Sequence, residues 1–224
     1  MTAGPTEVLE NGLTELGVSI PKTAATKLID YAELVIEHNA ATNLTGARSV
    51  TSFVTEQILD CLSMLTVIVP RGPLVDVGSG AGLPGIPLAI ALPRLSFFLL
   101  EPRAKRAGFL ELAAGRLGLG KVQVVKSSAL GPGSERLAGL AGAATVRAVT
   151  EPERAFSLAA PFLRVGGSAI LYRGKAGEAS RREANAARRA GLGGIRIEPV
   201  SVPGLNASRH IWIAKRARSF QRAQ

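Results

Sequence analysis

The 224-residue chain has one cysteine, Cys61, and two histidines, His38 and His210. A single thiol excludes an intrachain disulfide framework and a cysteine-based zinc cluster, and two imidazoles leave little for a histidine-rich metal site. No metal is therefore expected, and the lone thiol fits a reducing, cytoplasmic setting. Aromatic residues make up only 4% of the chain. The core must rest on Leu, Val, Ile and Ala, as buried parallel strands and their covering helices do. No apolar run approaches the roughly 18 residues that span a bilayer. The run from Leu83 to Leu92 is short and is broken by Pro84 and Pro87. Between Met1 and Leu16 there is no Lys or Arg, only Glu7, Glu10 and Glu15, the wrong charge for a secretory signal.

What the chain does hold is positive charge, unevenly placed. The net charge is +10. Residues 1–70 carry 3 Lys or Arg against 8 Asp or Glu; residues 71–224 carry 24 against 9. A polyanion partner explains a surplus confined to one part of a chain, because phosphate neutralisation rewards clustered Lys and Arg. A solubility charge explains it equally well from composition alone.

A length of 224 residues and 46% hydrophobic content suit one sizeable domain with a small appendage. Residues 5–40 read as helical, with Leu28, Tyr31, Leu34 and Val35 at three- and four-residue spacing, Pro21 in a first turn and Ser19 as its cap. Asn39 to Ser49 reads as a polar loop, and a helix is predicted from Thr51 to Val67. Pro70-Arg71-Gly72-Pro73 then marks a boundary. Beyond it, short apolar runs at Leu74–Val77, Ser96–Leu100, Val122–Val125, Thr145–Val149 and Ala169–Tyr172 alternate with helical stretches at 84–92, 103–117, 134–140 and 153–163. This alternation predicts βαβ units and a parallel sheet. A basic helix is expected over 175–190. Ile195–Val202 and His210–Ala214, flanking Pro203-Gly204, read as a terminal antiparallel pair. The expected organisation is a helical extension over 1–70 packed on the core, a domain over 71–216, and a basic tail over 217–224.

The segment Asp76-Val-Gly78-Ser-Gly80-Ala-Gly82-Leu83 carries the chemistry. A strand runs into a glycine turn and then a helix, where the backbone turns tightly and a ligand approaches it closely. The helix start is expected to offer free N–H groups. A dinucleotide fingerprint would place a third glycine at position 83, where Leu83 stands; the pattern is instead D-x-G-x-G-x-G, the form shared by S-adenosylmethionine-binding methyltransferases. Glu101 lies 23 residues beyond Gly78, at the end of the next apolar run, where a carboxylate accepts hydrogen bonds from both hydroxyls of an adenosine ribose. Taken alone, the glycine turn is also compatible with an ordinary strand–helix corner, and Glu101 with a solvated strand end. No P-loop lysine follows.

Asn43-Leu44-Thr45, Ile58-Leu59-Asp60, the run from Asp76 to Leu88, Lys105-Arg106, Phe109-Leu110, Arg147-Ala148, Gly174-Lys175 and Arg209-His210 occur in this order. From about residue 9 to 216 the chain resembles the GidB/RsmG family, bacterial methyltransferases of the small-subunit (16S) ribosomal RNA. The resemblance implies a Rossmann-like class I methyltransferase fold: a mostly parallel seven-stranded sheet with an antiparallel last strand, preceded by N-terminal helices. It implies S-adenosyl-L-methionine as cofactor and methyl transfer to guanine N7 in the decoding-region loop. It also implies 16S rRNA or the small subunit as partner, for a cytoplasmic monomer. By the same resemblance, Gly78 and Leu83 contact the cofactor's amino-acid end and Glu101 its ribose, and Gly80 belongs to the same cofactor site. Ala129 and Leu130 lie beside the adenine, and Arg147 stands between cofactor and RNA. Asn43, Lys105, Arg106, Lys175 and Arg209 are candidate RNA contacts. Two positions depart from the family pattern: Leu130 replaces a usual acidic residue, and Gln57 a frequent His.

Guanine N7 has an in-plane lone pair and no proton, so it attacks a sulfonium methyl in line without a general base; no acid–base residue is expected, and catalysis is largely positioning. Carbon-5 pyrimidine methylation needs a thiol nucleophile, whereas Cys61, among Ile58, Leu62 and Leu65, reads as core. Exocyclic amine methylation commonly uses an Asn/Asp-Pro-Pro-aromatic turn, absent from Val146 to Glu151. The basic side chains Arg181, Arg182, Arg188 and Arg189 suit either a phosphate-facing or a solvated helix. Trp212 reads as core and His210 as structural. Two other readings stay open: a methyltransferase of a small-molecule or protein acceptor, and a non-enzymatic ribosome-assembly factor.

Overall fold

The structure, a computed structural model, describes residues 3–147, 150–174 and 179–217. Helix α1 (Pro5–Leu16) starts on proline and ends at Gly17. Gly17 has φ +66°, and its N–H and that of Val18 close the last turn on Thr14 and Leu13. The helical stretch expected over 5–40 is therefore two helices. The second, α2 (Ala24–Thr42), begins after Pro21, not within its turn, and Ser19 does not cap it. It also runs into the predicted loop and stops at Asn43, at φ +50°. The Asn39 carboxamide accepts from the Leu44 and Thr45 amides and donates to the Thr45 carbonyl, which organises the turn that follows. The helix predicted over 51–67 has four parts: α3 (Val50–Phe53), a π-helical turn (Val54–Ile58), α4 (Leu59–Ser63) and a 3₁₀ turn (Met64–Thr66).

The sheet contains β1 (Leu74–Val77), β2 (Phe97–Leu100), β3 (Val122–Val125), β4 (Ala141–Arg147), β5 (Leu163–Arg173), β6 (Leu192–Val200) and β7 (Arg209–Arg216). Their order is β3-β2-β1-β4-β5-β7-β6, and β7 alone runs against its neighbours. The remaining helices are α5 (Gly85–Ala91), α6 (Ala104–Arg116), α7 (Pro152–Ala159) and α8 (Arg181–Arg189). Three expectations are corrected. The helix predicted over 134–140 is a 3₁₀ turn of three residues, Glu135–Leu137, because Gly139 turns at φ +67° and β4 begins at Ala141. Strands β4 and β5 start four and six residues earlier than read, through Ala-Gly-Ala-Ala and Leu-Arg-Val-Gly-Gly-Ser, stretches of weak strand propensity held by pairing to each other. The basic helix begins only at Arg181, after a Ser180–Glu183 capping box.

Strand residues alternate between two cores. Leu74, Ala143, Ile170, Ile211 and Ile213 join Leu9, Leu28, Tyr31, Phe53, Ile86 and Leu110 on the face covered by α1 to α6. Val75, Ala144, Ala169, Leu171, Trp212 and Ala214 meet Phe156 and Ala187 on the α7–α8 face. Cys61 is fully buried, and Trp212 is core, as read. No described helix is long and apolar enough to cross a membrane. From β1 the chain builds outward through β2 and β3, then returns to place β4 on β1's other side; the crevice beyond the ends of β1 and β4 is where open α/β sheets bind ligands.

Candidate functional site

At the end of β1 the chain passes through Gly78 (φ +72°), Gly80 (φ +59°) and Gly82 (φ +102°). These are backbone conformations open to glycine and strained for other residues. A side chain at Gly82 would put its Cβ 2.6 Å from Ile86 Cγ1 and 3.0 Å from Leu110 Cδ2. Asp76 fixes the turn from beneath. Its buried carboxylate accepts the Thr145 hydroxyl at 2.8 Å and the Gly85 amide at 3.2 Å, which joins β1, β4 and the start of α5. Burial pushes this carboxyl up to about 6, against the hydrogen bonds that favour its ionised form. The turn is held from above by Tyr31 of α2, whose hydroxyl donates to the Ala81 carbonyl at 2.9 Å.

Most of the loop amides are not free, contrary to expectation; among the described residues only the Ala81 amide of this loop has no partner. Gly78 and Ser79 both donate to the Leu100 carbonyl, Gly82 and Leu83 to the Ser79 carbonyl, Gly85 to Asp76 and Gly80 to Glu101. Helix α5 has only seven residues. The corner therefore presents the Glu101 carboxylate to its cleft and no ring of free amides. Glu101 is 4% exposed; Oε2 accepts the Gly80 amide and Oε1 the Arg103 amide, each at 2.9 Å. A carboxylate has about four lone-pair sites, so two remain for a ligand.

The cleft measures about 370 Å³ and is lined by Leu44, Gly78, Ser79, Gly80, Ala81, Leu83, Glu101, Pro102, Arg103, Arg106 and Arg147. That volume lies within the roughly 300–1,000 Å³ of small-molecule sites. Of the residues singled out in the sequence, it brings together Gly78, Gly80, Leu83, Glu101, Arg106 and Arg147. Asn43 is tied in through its carbonyl, which accepts from Arg106 Nη2 at 2.7 Å. Lys105 points to solvent. Ala129 and Leu130 lie in the loop after β3, outside this lining; Ala129 is buried and Leu130 is 76% exposed. That loop leaves β3 beside Glu101, whose amide donates to the Val125 carbonyl at 3.1 Å. Lys175 falls outside the described residues. Arg209 is the first residue of β7 and not its prelude.

Arg147, at the end of β4, lines the same cleft and anchors a cluster the sequence reading missed. Its Nη2 donates to Gln57 Oε1 at 2.7 Å and Asp60 Oδ2 at 2.8 Å. Arg209 Nε donates to Asp60 Oδ1 at 3.0 Å. Asp60 is 2% exposed. Burial opposes the Arg147 charge, but the acidic groups of Cys61 and Asp60 outweigh it and hold its pKa above the ordinary value. Burial also pushes the Cys61 thiol up to about 12. The signal available was Asp60 itself: a carboxylate amid Ile58, Leu59, Cys61 and Leu62 has to find a cationic partner. Among the described residues no group of three or more His, Cys, Asp or Glu side chains is arranged to hold a metal ion.

Glu101 suits the hydroxyl donors of a ligand, and the corner gives a pyrophosphate no ring of amides to occupy, while Arg103, Arg106 and Arg147 add guanidinium donors to the lining. Comparison with known proteins agrees. A relative in Coxiella burnetii, named ribosomal RNA small subunit methyltransferase G, is 32% identical over 206 residues, 92% of this chain and 96% of its own. The protein of the same name in Aromatoleum aromaticum is 36% identical over 219 residues, 93% and 97% of the two chains. The structure of M. jannaschii TYW2 in complex with AdoMet superposes with a TM-score of 0.53 at 17% identity, over 72% of this chain and 76% of the other; that likeness shows the fold. With the GidB family model, described as rRNA small subunit methyltransferase G, matching residues 24–211, the chain belongs to the GidB family.

Proposed function

We propose that this chain transfers a methyl group from S-adenosyl-L-methionine to N7 of a guanine in small-subunit (16S) ribosomal RNA. The observation that carries this reading is the polarity of the cleft. Its loop amides other than that of Ala81 are used internally, and it offers a ligand the two unused lone-pair sites of Glu101. S-adenosylmethionine fits that donor demand: it brings ribose hydroxyls, an ammonium and a cationic sulfonium. When bound, the cofactor supplies an electrophilic methyl group.

The chain's own residues then bind and orient. Gly78, Gly80 and Leu83 form the floor under the cofactor's amino-acid end, and Glu101 accepts from its ribose. Ala129 and Leu130, on the loop beside Glu101, are placed for the adenine. Arg147 borders the side from which RNA enters, with Asn43, Lys105, Arg106, Lys175 and Arg209 as the surrounding RNA contacts. Guanine N7 needs no proton removed, so the rate gain rests on alignment of lone pair and methyl. The reaction leaves a cationic guanine. Asp60 matters to this balance, because it offsets one of two guanidinium charges beside a centre that is positive before and after transfer.

Family membership supports ribosomal RNA as the acceptor, and the surplus of Lys and Arg after residue 70 supports a polyanion. A monomer in the cytoplasm, organised as the helical extension, the 71–216 domain and the tail, completes the reading. The test is to incubate the full chain with S-adenosylmethionine and small subunits from cells lacking the modification, and to map methylated nucleosides by mass spectrometry. One new N7-methylguanosine in 16S rRNA is expected; transfer to protein only, or none with cofactor bound, overturns the proposal.

A further inference from the structure

We propose that Asp60 is a positioning residue for methyl transfer: one buried carboxylate holds Arg147 and Arg209 together, and so sets the face that the cleft turns toward the target nucleotide. This rests on the reading of the cleft above. Asp60 sits on α4, and its two oxygens are divided between a guanidinium at the end of β4 and another at the start of β7. The contacts join parts of the chain 87 and 149 residues apart.

The geometry of Arg147 gives the contacts a purpose. Both N–H groups of its Nη2 are occupied, one by Gln57 and one by Asp60. Two contacts on one nitrogen fix the plane of the guanidinium. Among the described residues Nε and Nη1 have no other partner and face whatever enters the cleft that Arg147 lines. Arg209 gives Nε to Asp60 and Nη1 to the Ser208 carbonyl at 3.3 Å, and among the described residues its Nη2 has no partner. Its side chain is 26% exposed against 15% for Arg147. The more exposed guanidinium suits an RNA phosphate and the less exposed one the nucleotide at the methyl group. Without Asp60, two like charges would repel at the mouth of a site whose cofactor and product are cations.

Stability alone is a weak account of this cluster. Desolvating three charges costs about as much as their attraction returns, and well-packed apolar groups of the same volume commonly do as well. What an ion cluster supplies and apolar packing does not is a fixed direction for the N–H groups it leaves unused.

The experiment compares Asp60→Asn, Asp60→Glu and Gln57→Met in the full chain, with small subunits as acceptor and cofactor affinity measured by calorimetry. Asn at 60 serves one guanidinium but turns an N–H toward the other. The expected result is a fall in kcat of about 30- to 100-fold for Asp60→Asn, as a misplacement near 1 Å produces. Cofactor Kd should stay within about threefold, and Asp60→Glu should recover part of the loss. Gln57→Met removes one acceptor of near-equal volume and should cost about three- to tenfold in kcat by the same split. If Asp60→Asn does not fold, Gln57→Met decides. A kcat within about twofold of the parent in the folded variants overturns the inference, as does a loss that follows cofactor Kd and melting temperature together. An inactive parent chain removes the functional reading itself, whereas an active parent with unaltered variants removes only the role of Asp60.

Discussion

Glu101 uses one lone pair on the Gly80 amide and one on the Arg103 amide, so the same side chain shapes the loop and faces the cleft. Glu101→Gln puts an N–H against one of those amides and removes a charge from the proposed ribose position. Cofactor affinity is expected to fall by about 10- to 100-fold, the value of one or two lost charge-assisted hydrogen bonds, read by calorimetry. Asp76 has a different signature. Its folded carboxyl is raised from 3.8 to about 6, so the folded chain holds the proton more tightly than the unfolded chain. Its contribution to stability is therefore greatest below about pH 4 and is lost as pH rises through 6, a change of about 2–3 kcal/mol. Denaturant titrations at several pH values should show this slope in the parent and its absence in Asp76→Asn. The turn at Gly78 and Gly80 and the acid beside it at Glu101 were legible in the sequence, because a tight turn demands glycine and the end of the next apolar run lies next to that turn in a parallel sheet. Asp60 was visible as a motif, but its role was not: its partners Arg147 and Arg209 come close only through the fold.

The sequence shows elements where periodicity is strong and loses them where packing overrides propensity. Strands β1, β2 and β3 fall within a residue of their expected ranges, since they are short apolar runs bounded by polar sequence. The early parts of β4 and β5 were unreadable because Ala and Gly carry no strand signal; they are held by pairing in the sheet. The π-helical turn at Val54–Ile58 lies just before Asp60 and includes Gln57, both in the arginine cluster. Nothing in its composition marks it. At the glycine corner, Gly82→Ala meets both a left-handed φ and the Ile86 and Leu110 side chains. A loss of about 1–2 kcal/mol is expected. In a chain of this size that lowers the melting temperature by about 2–8 °C, measurable by calorimetric scanning, while Gly4, with open space around it, should tolerate alanine.

For the whole molecule, strand order and the packing of the N-terminal helices set the site. Residues of α1 and α2 share one hydrophobic cluster with the sheet, and Tyr31 reaches the glycine loop itself. The sheet's topology came from family resemblance, since periodicity predicts strands but not their order. The charge asymmetry makes a separate prediction. If phosphates are gripped by the basic surface, affinity for small-subunit RNA should drop at least tenfold between about 50 and 300 mM salt, while cofactor affinity changes less than about threefold. Filter binding alongside calorimetry measures both. On the proposed function, the glycine corner favours a cationic nucleoside over a phosphate. Parallel calorimetric titration of the full chain with S-adenosylmethionine and with ATP tests it most directly. Micromolar binding of S-adenosylmethionine with none detectable for ATP is predicted; equal or tighter binding of ATP, or no S-adenosylmethionine binding at millimolar concentration, would contradict the account.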